Sequence, residues 1–170
     1  MKLVYLKKWL AFTCLLMLTA SILLLASCAD KCKKIICYNG AICVDGICGC
    51  TPGFEGDDCS LEVREKFLGT YNVSDNCSVT GNAHYTVNMS AVDTSVTRVA
   101  IANFNGDFGN LVIAVISGDN IEIPIQSPDY DGRSVSGAGI FSSGSTIIWN
   151  YTIVSSGGIA NNCSNSVWQK

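Results

Sequence analysis

Ten cysteines in 170 residues supply most of this sequence's reactive groups, and thiols support acylation, metal binding or disulfide formation. Cys14 lies inside an apolar run and Cys28 ends it. Six more follow closely at Cys32, Cys37, Cys43, Cys48, Cys50 and Cys59, and two stand far apart at Cys77 and Cys163. Zinc sites favour cysteines paired two residues apart, and the intervals of four, five, four, one and eight residues after Cys32 supply no such pairs. Other reactive residues are few. His84 is the single histidine; a serine or cysteine nucleophile would need it as a base, and it falls on the polar side of an alternating run, where histidines are commonly just exposed. Asp129 and Asp131 flank Tyr130 ahead of Gly132, a pattern able to bind a metal or move protons but one that turns use for backbone reasons. No glycine-rich phosphate loop occurs. The chain is therefore expected to be non-catalytic and to carry no cofactor.

Cys28 is set apart by what precedes it. Lys2, Lys7 and Lys8 lead into an apolar stretch, Trp9 to Leu25, which ends in the small residues Ala26 and Ser27. This arrangement resembles the signal peptide of bacterial lipoproteins. The resemblance implies cleavage before Cys28, whose thiol then carries the lipid, with acyl chains of the palmitate class. A run of about 17 apolar residues could also remain as a membrane anchor. Cysteine arithmetic speaks for lipidation over a spare thiol: Cys14 leaves with residues 1–27, Cys28 is acylated, and eight cysteines remain, an even number. So many cysteines in a short exported chain point to an oxidising compartment.

From Cys32 to Cys59 one residue separates the fourth and fifth cysteines, Gly53-Phe54 follows, and Gly56 stands three before the last. These features resemble an EGF-like module, with the short Val44–Ile47 interval similar to the tenascin-type variant. The resemblance implies pairing of Cys32 with Cys43, Cys37 with Cys48 and Cys50 with Cys59, although the sequence alone permits fifteen pairings. So short a segment cannot bury a core that offsets its chain entropy, and cross-links worth about 2 to 4 kcal/mol each must do so. Asp45-Gly46 supplies a hairpin turn. Calcium is not expected, because only Asp30 and Asp45 stand where calcium-binding relatives carry ligands, and calcium needs six or more oxygens.

Residues 28–31 read as a lipidated tether, 32–59 as the EGF-like module, 60–66 as a short helical or extended connector, and 67–170 as a β domain. The last segment holds three Lys or Arg against seven Asp or Glu and is rich in Ser, Thr, Asn, Gly and β-branched residues. Alternating runs place Phe67, Gly69, Tyr71 and Val73 on one face, then Tyr85, Val87 and Met89, then Val99 and Ile101. Leu111–Ile116 is apolar on both faces, and Ile121, Ile123 and Ile125 alternate around Pro124, which marks an edge, bulge or strand end. Gly137 and Gly139 suggest a bend or close approach. Ile147, Trp149, Tyr151 and Ile153 follow, and a last short strand includes Val167 and Trp168.

About eight antiparallel strands fit a closed barrel or a β-sandwich. Cys77 after the first strand and Cys163 before the last become neighbours if the sheet closes on itself, which favours the barrel. In addition, Phe67-Leu68-Gly69-Thr70-Tyr71 resembles the Gly-x-aromatic opening strand of lipocalin-like, or calycin, barrels. The order of signal, EGF-like module and β domain resembles Bacteroidetes-type lipoproteins. That resemblance implies an exported lipoprotein anchored at Cys28; Ala29 in second place supplies no aspartate of the kind that retains lipoproteins at the inner membrane, which points to the outer membrane, and the modular layout without a catalytic set points to binding of a protein or glycan. The lipocalin-like resemblance implies an alternative, a carrier of a small hydrophobic ligand with Tyr71, Tyr85, Met89, Trp149 and Tyr151 lining its cavity. Nucleic acid is not an expected partner: from Cys28 onward eight basic residues face fourteen acidic ones. Lys31, Lys33 and Lys34 stand just beyond the lipid, near the headgroups.

Overall fold

The computed structural model describes residues 31–142 and 144–170. The signal segment, the lipid-anchor position Cys28 and Asp30 lie outside the described residues. The described chain is mainly β, with a small disulfide-rich unit followed by a closed barrel of eight antiparallel strands.

The first unit contains β1 (Ile42–Val44), β2 (Ile47–Gly49), β3 (Phe54–Glu55) and β4 (Leu61–Glu62). β1 and β2 form a hairpin whose turn residues Asp45 and Gly46 both have positive φ, 53° and 91°, the geometry that a two-residue primed turn requires. Disulfides join Cys32 to Cys43, Cys37 to Cys48 and Cys50 to Cys59. Cys48 and Cys59 are the unit's only buried apolar side chains among the described residues up to Cys59, so sulfur takes the place of a hydrocarbon core.

The barrel comprises β5 (Gly69–Cys77), β6 (Gly81–Ala91), β7 (Arg98–Ala102), β8 (Val112–Ser117), β9 (Asn120–Gln126), β10 (Ser134–Ser142), β11 (Thr146–Val154) and β12 (Ala160–Gln169). Each strand pairs with the next, and β12 returns to pair with β5. Cys77 and Cys163 face each other in that register and are bonded, closing the seam. Inward positions of β5 are Tyr71, Val73, Asp75 and Cys77, while Thr70, Asn72, Ser74 and Asn76 face out. β5 thus turns polar side chains outward and, Asp75 apart, apolar ones inward.

Several strand expectations change in the closed sheet. Leu111–Ile116 is not buried on both sides: Val112, Ala114 and Ile116 point inward, and Leu111 and Val115 are exposed. A barrel has one inner face, so continuous apolar character is not needed. Ile125 is exposed, unlike Ile121 and Ile123, because the register against β10 shifts between Gln126 and Ile123 and the extra residue at Pro124-Ile125 turns that side chain out. The last strand runs ten residues and contains Cys163 instead of following it. A second bulge, around Ser164-Asn165, resets the parity of β12, so Asn161, Cys163, Ser166 and Trp168 are all buried.

The glycines of β10 make room for large neighbours. A Cβ on Gly137 would lie 2.4 Å from Tyr151 Cβ, and one on Gly139 would lie 2.7 Å from the Trp149 ring. The connector holds the two units together. Arg64 donates to the Ser95 carbonyl at 2.5 Å, Lys66 bridges Glu55 and Asp119 at 2.7 Å each, and a 3₁₀ turn, Glu65–Phe67, buries Phe67 against Phe141 at the barrel's near end. Hence the loops 78–80, 103–111, 127–133 and 155–159 gather at the opposite, distal end.

Candidate functional site

Strand parity delivers a carboxylate into the barrel. Asp75 continues the inward series Tyr71, Val73 and is buried. Tyr85 of β6 donates to its Oδ2 at 2.5 Å, Tyr151 of β11 donates to the same oxygen, and Ser166 of β12 donates to Oδ1. Trp168 Nε1 in turn donates to the Ser166 hydroxyl at 3.1 Å. Four adjacent strands, β11, β12, β5 and β6, are thereby tied across the seam through one side chain. Among the described residues no basic group forms an ion pair with Asp75, so three hydroxyl donors replace its hydration. Burial pushes the Tyr85 phenol up, and Tyr151 and Asp75 add to the shift. Burial, then the bond to Asp75, does the same for Tyr151. Both phenols stay protonated and remain donors.

The distal loops cover this network. Asn105 Oδ1 lies 3.2 Å from the Tyr151 hydroxyl, whose single proton goes to Asp75, and the Phe104 ring packs edge-on against Tyr151 with centroids 4.9 Å apart. A Cβ on Gly106 would touch the Tyr85 ring at 3.2 Å, so the loop sits close over the phenols.

Arg133 fastens the two longest distal loops to each other. Its guanidinium pairs with Asp107, Asp129 and Asp131 and lies 4.7 Å from the Phe108 ring centroid. Asp129 also accepts the backbone N–H groups of Gly109 and Asn110, at 3.1 and 2.8 Å. The Arg133 backbone N–H, then its side chain, holds the Asp131 carboxyl below its usual range. Between these braced aspartates Tyr130 adopts φ 57° and is 91% exposed. It borders a groove of about 670 Å³ with Asn110, Leu111, Ile113, Gln126, Ser127 and Pro128.

No protein-family model matches this chain, and no curated protein matches it either.

Of the five residues expected to line a ligand cavity, Tyr71, Met89, Trp149 and Tyr151 are buried in the core and Tyr85 packs against it. Tyr71 donates to the Phe67 carbonyl at 2.8 Å, and Trp149 and Trp168 pack with ring centroids 5.2 Å apart. The structure brings Tyr85 and Tyr151 together on Asp75. The Trp149 indole N–H is the one buried side-chain polar atom without a partner among the described residues. His84 Nδ1 lies 3.1 Å from the Ser74 hydroxyl, its cross-strand neighbour on the outer face. Among the described residues no cluster of three or more His, Cys, Asp or Glu is arranged to hold a metal. Asp45, the remaining described calcium candidate, pairs with Lys31 at 3.3 Å.

Sequence reasoning missed Asp75, Ser166 and Arg133 as members of these clusters. Alternation through Tyr71 and Val73 was a sufficient signal for Asp75. The β12 bulge hid Ser166; Asp129 and Asp131 stand close to Arg133 in sequence, but its partner Asp107 comes from another loop.

Proposed function

We propose that this chain is an exported lipoprotein, held through Cys28 at a bacterial outer membrane, and that it acts without catalysis by presenting the distal end of its barrel to a protein or glycan. The observation that carries the reading is the Arg133-braced loop pair with Tyr130 held out between Asp129 and Asp131. Large aromatics on rigidly positioned loops are typical recognition anchors. The braces reduce the ordering entropy that binding would otherwise lose.

The interior supports this reading over a carrier. Trp149, Trp168, Tyr71, Phe104 and Met89 fill the barrel with their own bulk, as eight-stranded barrels commonly do. Four disulfides suit an oxidising compartment outside the cytoplasm.

The test is native mass spectrometry of the full chain extracted from membranes, followed by glycan and protein arrays with the wild type and Tyr130→Ala. An empty chain with a Tyr130-dependent ligand on the arrays is the expected result, with binding weakened about tenfold or more in the variant. A retained apolar molecule at one-to-one stoichiometry would overturn the reading in favour of the carrier.

A further inference from the structure

The β1–β2 hairpin has two unlike faces. Val44 pairs with Ile47 and Ile42 with Gly49, so Ile42, Val44 and Ile47 project to one side, while Cys43 and Cys48 project to the other and enter disulfides. The apolar trio is 70%, 64% and 73% exposed. Nearby, Ile35 and Ile47 share a groove of about 510 Å³, to which Asp57 and Asp58 add an acidic margin. Residues 31–59 hold six exposed large apolar side chains, against eight spread over the far longer barrel. Single exposed apolar residues need no explanation, but a concentration on so small a unit does.

Position in the chain identifies what covers this face. The apolar stretch ending at Leu25 stops six residues before Lys31, and Cys28 lies three before it. At most about 3.6 Å per residue, these intervals reach no more than roughly 22 and 11 Å. Whether residues 9–25 stay in a bilayer or lipid on Cys28 enters it, the hairpin is tethered within reach of the headgroups. Lys31, Lys33 and Lys34 are exposed at the same end of the unit, and each lysine near an anionic surface is worth roughly a fivefold gain in partitioning. Asp45, the acid at the hairpin tip, is already paired with Lys31.

We infer that the Ile42–Val44–Ile47 face of the hairpin lies in the interfacial region of the membrane, with Lys31, Lys33 and Lys34 against anionic lipid. The disulfide unit is then a second, non-covalent membrane contact that fixes the tilt of the barrel and points its distal loops outward. This inference rests on the membrane attachment proposed above.

Both can be tested together and told apart. The full chain is reconstituted into vesicles of phosphatidylethanolamine and phosphatidylglycerol that contain a phospholipid with a photoactivatable diazirine in its acyl chain, and labelled peptides are mapped. Labels are expected within residues 35–47 as well as before Lys31. Hairpin labelling should fall about tenfold in Ile42→Ser/Val44→Ser/Ile47→Ser, with all four disulfides retained by mass. Replacing the three lysines by glutamine should lower it about fivefold or more and remove its salt sensitivity. Labels confined to residues before Lys31 would overturn the hairpin contact and leave the anchor standing. No label anywhere would overturn both.

Discussion

The two units solve the same stability problem by opposite means. Residues 31–59 bury little besides sulfur and leave Ile42, Val44 and Ile47 in the open, so three short cross-links must limit the unfolded chain. The barrel buries three aromatic rings together at Trp149, Trp168 and Phe104 and uses its single disulfide as a latch on a sheet that hydrogen bonds already close. Size decides this, because a segment of some thirty residues cannot remove enough apolar surface from water to balance its conformational entropy, whereas about a hundred residues can.

Reduction should separate the units most sharply. Losing three cross-links of about 2 to 4 kcal/mol each exceeds what so small a unit can spare, so residues 32–59 are expected to lose all amide protection. The barrel should stay folded, weakened by at most about 4 to 5 kcal/mol through its 86-residue separation. Hydrogen exchange by region reads both effects.

Inside the barrel, the next largest effect is expected at Asp75. Asp75→Ala leaves the hydroxyls of Tyr85, Tyr151 and Ser166 buried without their acceptor, at about 1 to 3 kcal/mol for each group that finds no new partner. Denaturant unfolding should show a loss of about 3 kcal/mol or more. Gly137→Ala should follow at about 1 to 3 kcal/mol, since the added methyl meets Tyr151 Cβ and the Asn150 carbonyl, which cannot both retreat.

High pH should weaken the barrel. Burial raises the phenols of Tyr71 and Tyr151 above the value of 10 expected in an unfolded chain, so above that pH the folded state holds protons that the unfolded state releases. Stability is whole below pH 10 and falls as pH rises beyond it, by about 1.4 kcal/mol per pH unit for each phenol. Tyr85 is raised in the same way, so Tyr151→Phe should lower the slope of an alkaline titration of unfolding by about a third.

The smallest effects are expected at the exposed apolar residues. Ile47→Ser and Tyr130→Ala should each change stability by no more than about 0.5 kcal/mol, while altering membrane labelling and ligand binding respectively. A large stability loss at either would mean that the surface is part of a core.

Much of this contrast was legible in the residues themselves. Strand alternation located the barrel interior, and the separation of Cys77 from Cys163 favoured closure over a sandwich, because only a closed sheet makes the first and last strands neighbours. What stayed hidden depends on single-residue insertions. The Pro124-Ile125 bulge turns out a side chain that simple alternation buries, and the Ser164-Asn165 bulge brings Ser166 in. Arg133 gathers carboxylates from two loops through tertiary folding, and Asp107 is 26 residues away in sequence. No local pattern encodes such a meeting.

The most direct test of the division between the units is hydrogen exchange of the full chain before and after reduction, resolved to single peptides. Complete loss of protection over residues 32–59, with β5, β6 and β11 still protected, is the expected result. Loss of protection in both regions together, or in neither, would contradict a sulfur-held unit joined to a barrel that stands on its packed core.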